Sequence, residues 1–334
     1  MLGATFAVLS AATFGFNNAA IRRGVLSGSV LQALSITVPM GVPFIFVILL
    51  ITGQLNFLFG MSNGAYILFA IAGIVHFVWG RYCNYRSTKA MGGNLAGPWA
   101  QLNVVLSLVL AIIFLGETLS VMALLGIALI MAGVAATAQA GRVQKRKAKQ
   151  DAEKPNHKPS SFQPNYVEGY TFAILTATGH GVSPVLVALA LEGLTPSHSI
   201  AGALISYAAA ALTVLIIILI SRNWQHVCSV NRSSLKWFTL GGILVGTSQT
   251  LRYAALSLAP VSVVMPIQST SALFRIIFAW FINREHEIFG FWILFGVLLT
   301  IVGVTTLAVG ADLLGILQAN PAVQEILSHE WFGR

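Results

Sequence analysis

Charge is what this chain has least of: Asp, Glu, Lys and Arg together make up 9% of its 334 residues. Soluble domains carry about 25%, so an ordinary globular fold in water is excluded. Acid is scarcer than base, with 10 Asp and Glu against 19 Lys and Arg. Cysteine is nearly absent. Cys83 and Cys228 are the only two, which excludes a disulfide framework and a cysteine metal cluster. No Walker sequence occurs, which argues against direct drive by ATP. No nucleophile, acid pair or metal-ligand group is arranged for catalysis, so the sequence reads as a non-enzyme that needs neither metal nor cofactor. A basic stretch ahead of the first apolar run is also missing, so that run is expected to stay as a helix rather than be cleaved.

What is present is apolar sequence, 56% of the residues. It gathers into runs of about 18 residues or more, and about 20 helical residues cross the hydrocarbon core of a bilayer. Ten runs are read: 4–21, 29–51, 65–86, 95–115, 121–140, 170–191, 200–220, 237–257, 261–282 and 289–310. They are too long and too continuously apolar for membrane strands. The predicted fold is an all-α integral membrane protein with ten transmembrane helices. The bases lie between the runs, as in loops beside a bilayer, and do not point to nucleic acid.

The runs repeat. Pro98 is followed nineteen residues later by Glu117, and Pro266 by Glu285 at the same interval. The offset between the halves drifts from 166 at Thr5 and Thr171, through 168 at the prolines, to 170 at Gly133 and Gly303. Each half then holds five helices, and an odd number inverts the second half in the membrane. The domains read as a first five-helix repeat at 1–140, a basic linker at 141–168, a second repeat at 169–311 and a tail at 312–334. In the tail Val323, Ile326, Leu327 and Trp331 have helical spacing, which fits a short amphipathic helix on the membrane or a loose end. Lys or Arg follows every odd-numbered run, and the loops after the second, fourth, sixth and eighth runs have none, which places the odd loops and the linker in the cytoplasm and both termini outside.

Two five-helix units, each with a Pro early in its fourth helix, a Glu at that helix's end and a Gly-Val in its fifth, resemble the drug/metabolite transporter superfamily. The likeness is to its ten-helix members with paired EamA domains. Gly116-Glu117-Thr118-Leu119-Ser120 is close to the family's form, whereas Arg284-Glu285-His286 keeps only the Glu. The resemblance implies transport of a small metabolite by alternating access, in a multi-pass protein of the cell membrane, the inner membrane in a bacterium. It implies a monomer or homodimer in the lipid bilayer whose partner is a small-molecule substrate. Ten-helix relatives keep both termini in the cytoplasm, the reverse of the orientation read from the loops. The carboxylate that the family's smallest exporters hold in the first helix is absent, where Asn17 and Asn18 stand instead.

Ionisable residues inside spans cost at least about 2.5 kcal/mol at the centre and so mark candidate sites. Three arginines qualify, Arg252, Arg275 and Arg81. Arg81, Asn84 and Tyr85 correspond in the repeat to Gln249, Arg252 and Tyr253, each trio sharing one helical face. No carboxylate lies within a span to pair with these arginines, which points to a substrate bearing carboxylate or phosphate. Snorkelling by Arg81 and backbone bonding by Arg275 are the structural alternatives. Gln101, Asn103 and Gln268 are candidates to bond substrate or to join helices. Trp79 is read as lining a cavity or packing on lipid. His180 is a candidate proton carrier or a packed histidine, with His76 behind it. Pro98 and Pro266 are read as hinges or as helix starts. Glu117 and Glu285 are read as structural.

The function these residues support is a secondary transporter, an exporter, of a small organic anion or zwitterion such as an amino acid. A non-transporting membrane scaffold or sensor is the alternative, and a large folded extramembrane domain would favour it; the sequence has none.

Overall fold

A computed structural model of the chain describes residues 2–116, 121–152 and 164–319. Glu117, the middle of the linker and the last fifteen residues of the tail, with its amphipathic pattern, lie outside the described residues. Among those described there is no strand.

Helix α1 (Leu2–Val25) is followed by α2 (Val30–Thr37), which opens with a capping box: Ser29 accepts from the Gln32 amide and Gln32 accepts from Ser29. Next comes α3 (Gly41–Ile51), separated from α2 by Val38-Pro39-Met40, where the proline supplies no N–H to continue the ladder. A 3₁₀ turn leads to α4 (Asn63–Gly73), which runs through a π-helical stretch, Ile74–Gly80, into α5 (Arg81–Met91). Gly92, at φ 86°, makes the turn into α6 (Gly93–Ala100). A side chain there would be strained in the backbone and would also press on Glu287. Then follow α7 (Leu102–Leu115), α8 (Val121–Ala152), α9 (Tyr166–Leu191) and α10 (His198–Ile220). A short α11 (Trp224–Cys228) precedes α12 (Arg232–Leu256), α13 (Val261–Ser269), α14 (Ser271–Ile282) and α15 (Phe291–Ala319).

Eight helical stretches among the described residues are long and apolar enough to cross a membrane. Two of the ten sequence runs are not among them. The run in α12 carries Gln249 and Arg252 together with several hydroxyls, and α15 is apolar over the shorter stretch Phe291–Thr306. Large apolar side chains face outward along these helices, among them Ile113, Phe114, Ile220, Phe281 and Leu298. Such a surface is stable against lipid rather than water.

Three sequence boundaries are corrected. Helix α8 continues past 140 to Ala152, because Gly141 to Ala152 is rich in Arg, Lys, Gln and Ala, all good helix formers, and Pro155 lies beyond it. Helix α15 likewise continues past 311 to Ala319. Arg22, read as a loop cation, is 1% exposed and lies within α1.

The packing pairs elements in a repeating way. Helix α1 lies against α12 and α14, while α9 lies against α5 and α7. Helix α8 packs on α15 at glycine crossings, where a Cβ on Gly133 or Gly303 would meet the backbone of Gly296 or Gly126. Helix α6 meets α14 and α7 meets α13, so the two broken helices cross each other in the middle of the bundle.

Candidate functional site

At the crossing, Gln101 interrupts the helix between α6 and α7 by one residue, and Thr270 does the same between α13 and α14. Gln101 sits three residues after Pro98, and Thr270 four after Pro266. The Gln101 amide is shared between the carbonyls of Gly97 and Pro98, and the Thr270 amide bonds Ile267 at 3.1 Å. Pro98 lies inside α6, five residues past its start, so it is not a helix-opening proline. Pro266 falls within α13, Val261–Ser269. Gln101 Nε2 donates to the carbonyl of Ser269 at 2.8 Å, tying one break to the other. These two residues are 168 apart, the repeat offset itself.

Around this crossing is a cavity of about 50 Å³. Arg252, Arg275, Asn84 and Gln249 line it. So do Gln101, Asn103, Gln268 and His180. The sequence reading placed all eight as candidates, and the fold brings them together from α5, α7, α9, α12, α13, α14 and the break at Gln101. Arg252 is 1% and Arg275 7% exposed. Arg252 Nε donates to Gln249 Oε1 at 2.7 Å, which fixes the amide with its oxygen toward the guanidinium. Its Nη1 and Nη2 have no hydrogen-bond partner, nor have Nε and Nη2 of Arg275. Buried donors are nearly always bonded in a folded protein. Four guanidinium nitrogens of the cavity arginines thus have no acceptor within the protein.

Four candidates stand elsewhere. Arg81 is buried but not at the cavity: it donates to the Tyr207 hydroxyl at 2.9 Å and lies 4.8 Å from the Phe77 ring centroid. It is not snorkelling, since aromatic faces and a phenol surround its charge within the bundle. Tyr85 bonds Thr37 at 3.2 Å and Tyr253 donates to Ser206 at 2.8 Å, so both hydroxyls hold helices together. Trp79 is half exposed and its Nε1 donates to Thr178 at 3.2 Å, which places it on the outer surface.

The remaining amides are bonded to neighbours. Asn84 Nδ2 donates to Asn18 Oδ1 at 3.1 Å, and Gln268 Nε2 donates to Ser10 Oγ at 2.6 Å. Asn103 Oδ1 makes no hydrogen bond. His180 is not alone. Its ring stacks on His76 with centroids 4.4 Å apart and 24° between planes. The π-helical stretch widens the third span where His76 sits, and such turns recur at functional sites. Nothing in the sequence pairs two histidines 104 residues apart outside the repeat register.

Sequence reasoning also missed Glu287. Glu285, read as the repeat's structural carboxylate, is exposed. Glu287, two residues on, is buried and accepts from the amides of Gly93 at 2.6 Å and Asn94 at 3.0 Å, capping the start of α6. It pairs with Arg22 at 3.4 Å, and Arg22 donates to the carbonyls of Thr88, Lys89 and His286. A Cβ on Gly93 would stand 3.3 Å from both Glu287 and Arg275, and one on Gly97 would overlap the Arg275 guanidinium. Gly93 and Gly97 thus open the groove in which Arg275 reaches the cavity, and their four-residue spacing was the signal available. Among the described residues no Asp or Glu lines the cavity.

The sequence pattern of the EamA-like transporter family matches residues 1–139 and 167–309, one copy in each half. The chain belongs to the EamA-like transporter family. This EamA-like chain is accordingly a multi-pass membrane protein of the drug/metabolite transporter superfamily, whose members are transporters rather than enzymes. No curated protein matches its sequence. One solved structure, titled only as the crystal structure of a protein, superposes with a TM-score of 0.63 at 16% identity, covering 92% of this EamA-like chain and 98% of the other. That likeness is one of fold.

Proposed function

We propose that this chain is a secondary active transporter that exports a small organic anion or zwitterion, such as an amino acid, by alternating access between two inverted five-helix repeats. The observation that carries the reading is the pair of buried guanidiniums, Arg252 and Arg275, with unmet donors in a cavity at the crossing of the two broken helices. Transporters place substrate where discontinuous helices of two repeats meet. The matched breaks after Pro98 and Pro266 support those prolines as hinges, and the packing of α1 on α12 and α14, matched by that of α9 on α5 and α7, supports a two-fold relation of the halves. Counting α12 and α15 with the eight apolar stretches supports ten spans. The substrate contacts we assign are Arg252 and Arg275, with Gln249, Asn84, Gln101, Asn103 and Gln268 around them, and His180 as the proton-coupling group. The loop charges support termini outside the cell membrane, which is the inner membrane in a bacterium, for a monomer or homodimer.

Flux in proteoliposomes tests the reading. Wild type is expected to accumulate a labelled organic anion by counterflow, and Arg252→Ala to lose at least about 90% of that rate, as removal of a charged hydrogen bond of about 1.5–3 kcal/mol implies. Wild-type counterflow by Arg252→Ala would remove the role assigned to that residue.

A further inference from the structure

The cavity wall carries two positive charges, and the groups that could balance them are engaged elsewhere. Glu287 stands beside Arg275 across Gly93, but its oxygens accept the Gly93 and Asn94 amides and pair with Arg22, so it is shared between two arginines. Of the neutral acceptors, Gln249 is bonded to Arg252 and the Asn18 oxygen to Asn84, while Asn103 Oδ1 makes no hydrogen bond but carries no charge to balance a cation. The four unmet donors are shared equally, two on Arg252 and two on Arg275. Each guanidinium therefore offers the pair of N–H groups that suits a carboxylate or phosphate.

From this balance we infer that the preferred substrate is a small dianion, a dicarboxylate or a phosphate monoester, with Arg252 and Arg275 each neutralising one negative charge. The inference rests on the cavity being the transporter's substrate site and narrows the anion that site takes. A monocarboxylate leaves one guanidinium buried and unpaired, which low-dielectric surroundings penalise. A neutral zwitterion does the same and adds an ammonium with no carboxylate to receive it, since no Asp or Glu lines the cavity among the described residues. Binding favours the ligand that compensates both cations.

The same balance makes a distinct statement about the empty protein. Two like charges line one cavity, and Glu287 stands beside Arg275 but not among the residues lining the cavity with Arg252, so replacing Arg252 relieves repulsion and desolvation. Arg252→Gln is expected to raise the melting temperature of the ligand-free protein by about 2 °C or more. Residues that hold the bundle together would lower it.

The test is ligand-induced thermal shift and calorimetric binding on the full chain in detergent, with succinate, glycerol 3-phosphate, butyrate and alanine at constant ionic strength. At least one of the two dianions is expected to bind about tenfold or more tightly than both butyrate and alanine. Succinate binding alone identifies the dicarboxylate, and glycerol 3-phosphate alone the phosphate ester. Arg252→Gln and Arg275→Gln should each reduce dianion affinity to that of butyrate, and Arg→Lys at either position should recover part of the preference through charge. Equal binding of butyrate or alanine, or a dianion preference that survives either Gln variant, overturns the inference. Counterflow separates the two claims: flux of a monoanion or amino acid with no dianion preference leaves the transporter standing and removes the dianion. Tight dianion binding without flux of any compound does the opposite.

Discussion

At the scale of single residues, the buried charges divide into those that hold the fold and those left unbonded. Arg22 and Glu287 belong to the first kind. Glu287 receives two amides of α6 and an ion pair, while Arg22 reaches three carbonyls on two other segments. Glu287→Ala strands those amides and leaves Arg22 without its carboxylate, and is expected to destabilise the protein by about 3–5 kcal/mol. Glu285→Ala, at an exposed position two residues earlier, should change stability by less than about 0.5 kcal/mol. Unfolding in mixed detergent micelles measures both, and equal effects would contradict the assignment of Glu287. Sequence could separate the cavity arginines from their surroundings because charge is so rare in these spans. It could not separate Glu285 from Glu287, since both follow the same helix and only the turn between Ile282 and Phe291 decides which carboxylate points inward. Nor could it place Trp79 and Tyr85, because a helix's polar and aromatic residues lie on several faces and the neighbours decide which face meets the cavity.

At the scale of elements, the apolar runs were legible because each had to satisfy its backbone within a helix. Their interruptions were less so. Hydropathy is blind to hydrogen-bond register, so the π-helical stretch at Ile74–Gly80 left no mark in composition, and with it the stacking of His76 on His180 stayed hidden. The prolines marked the central breaks only approximately, because the helices yield three and four residues downstream of them. Helix α6 now makes two testable statements. Gly97→Ala puts a methyl group on the Arg275 guanidinium, so it is expected to abolish transport while costing about 1–3 kcal/mol of stability. Flux at the wild-type rate in that variant would show that Arg275 need not occupy its groove. Pro98→Ala restores the amide missing opposite Asn94 and stiffens α6, and should slow flux severalfold with ligand affinity unchanged. A variant that transports as fast as wild type would remove the hinge.

At the scale of the whole molecule, the repeat was read from the offset of the two prolines, and the family pattern falls once in each half. The cavity lies where the halves meet, and its chemistry comes from positions at which they differ: Arg252 against Asn84, Arg275 against Ser107. Ser107 bonds the carbonyl of Gly181 at 2.8 Å and so joins α7 to α9, the structural use of the position that Arg275 occupies in the other half. In the orientation we propose from the loop charges the C-terminus is outside, so a fused reporter active only in the cytoplasm should stay inactive there, and an active one would overturn that orientation. The central claim is that this cavity is reached alternately from the two faces of the bilayer. With Cys83 and Cys228 replaced, Ser271→Cys puts one thiol on the cavity wall at the break between α13 and α14. Membrane-impermeant thiol reagents applied to each face of sealed vesicles should label that cysteine from both sides, more slowly when the transported anion is present. Labelling from one side alone, or from neither, would contradict alternating access through this cavity.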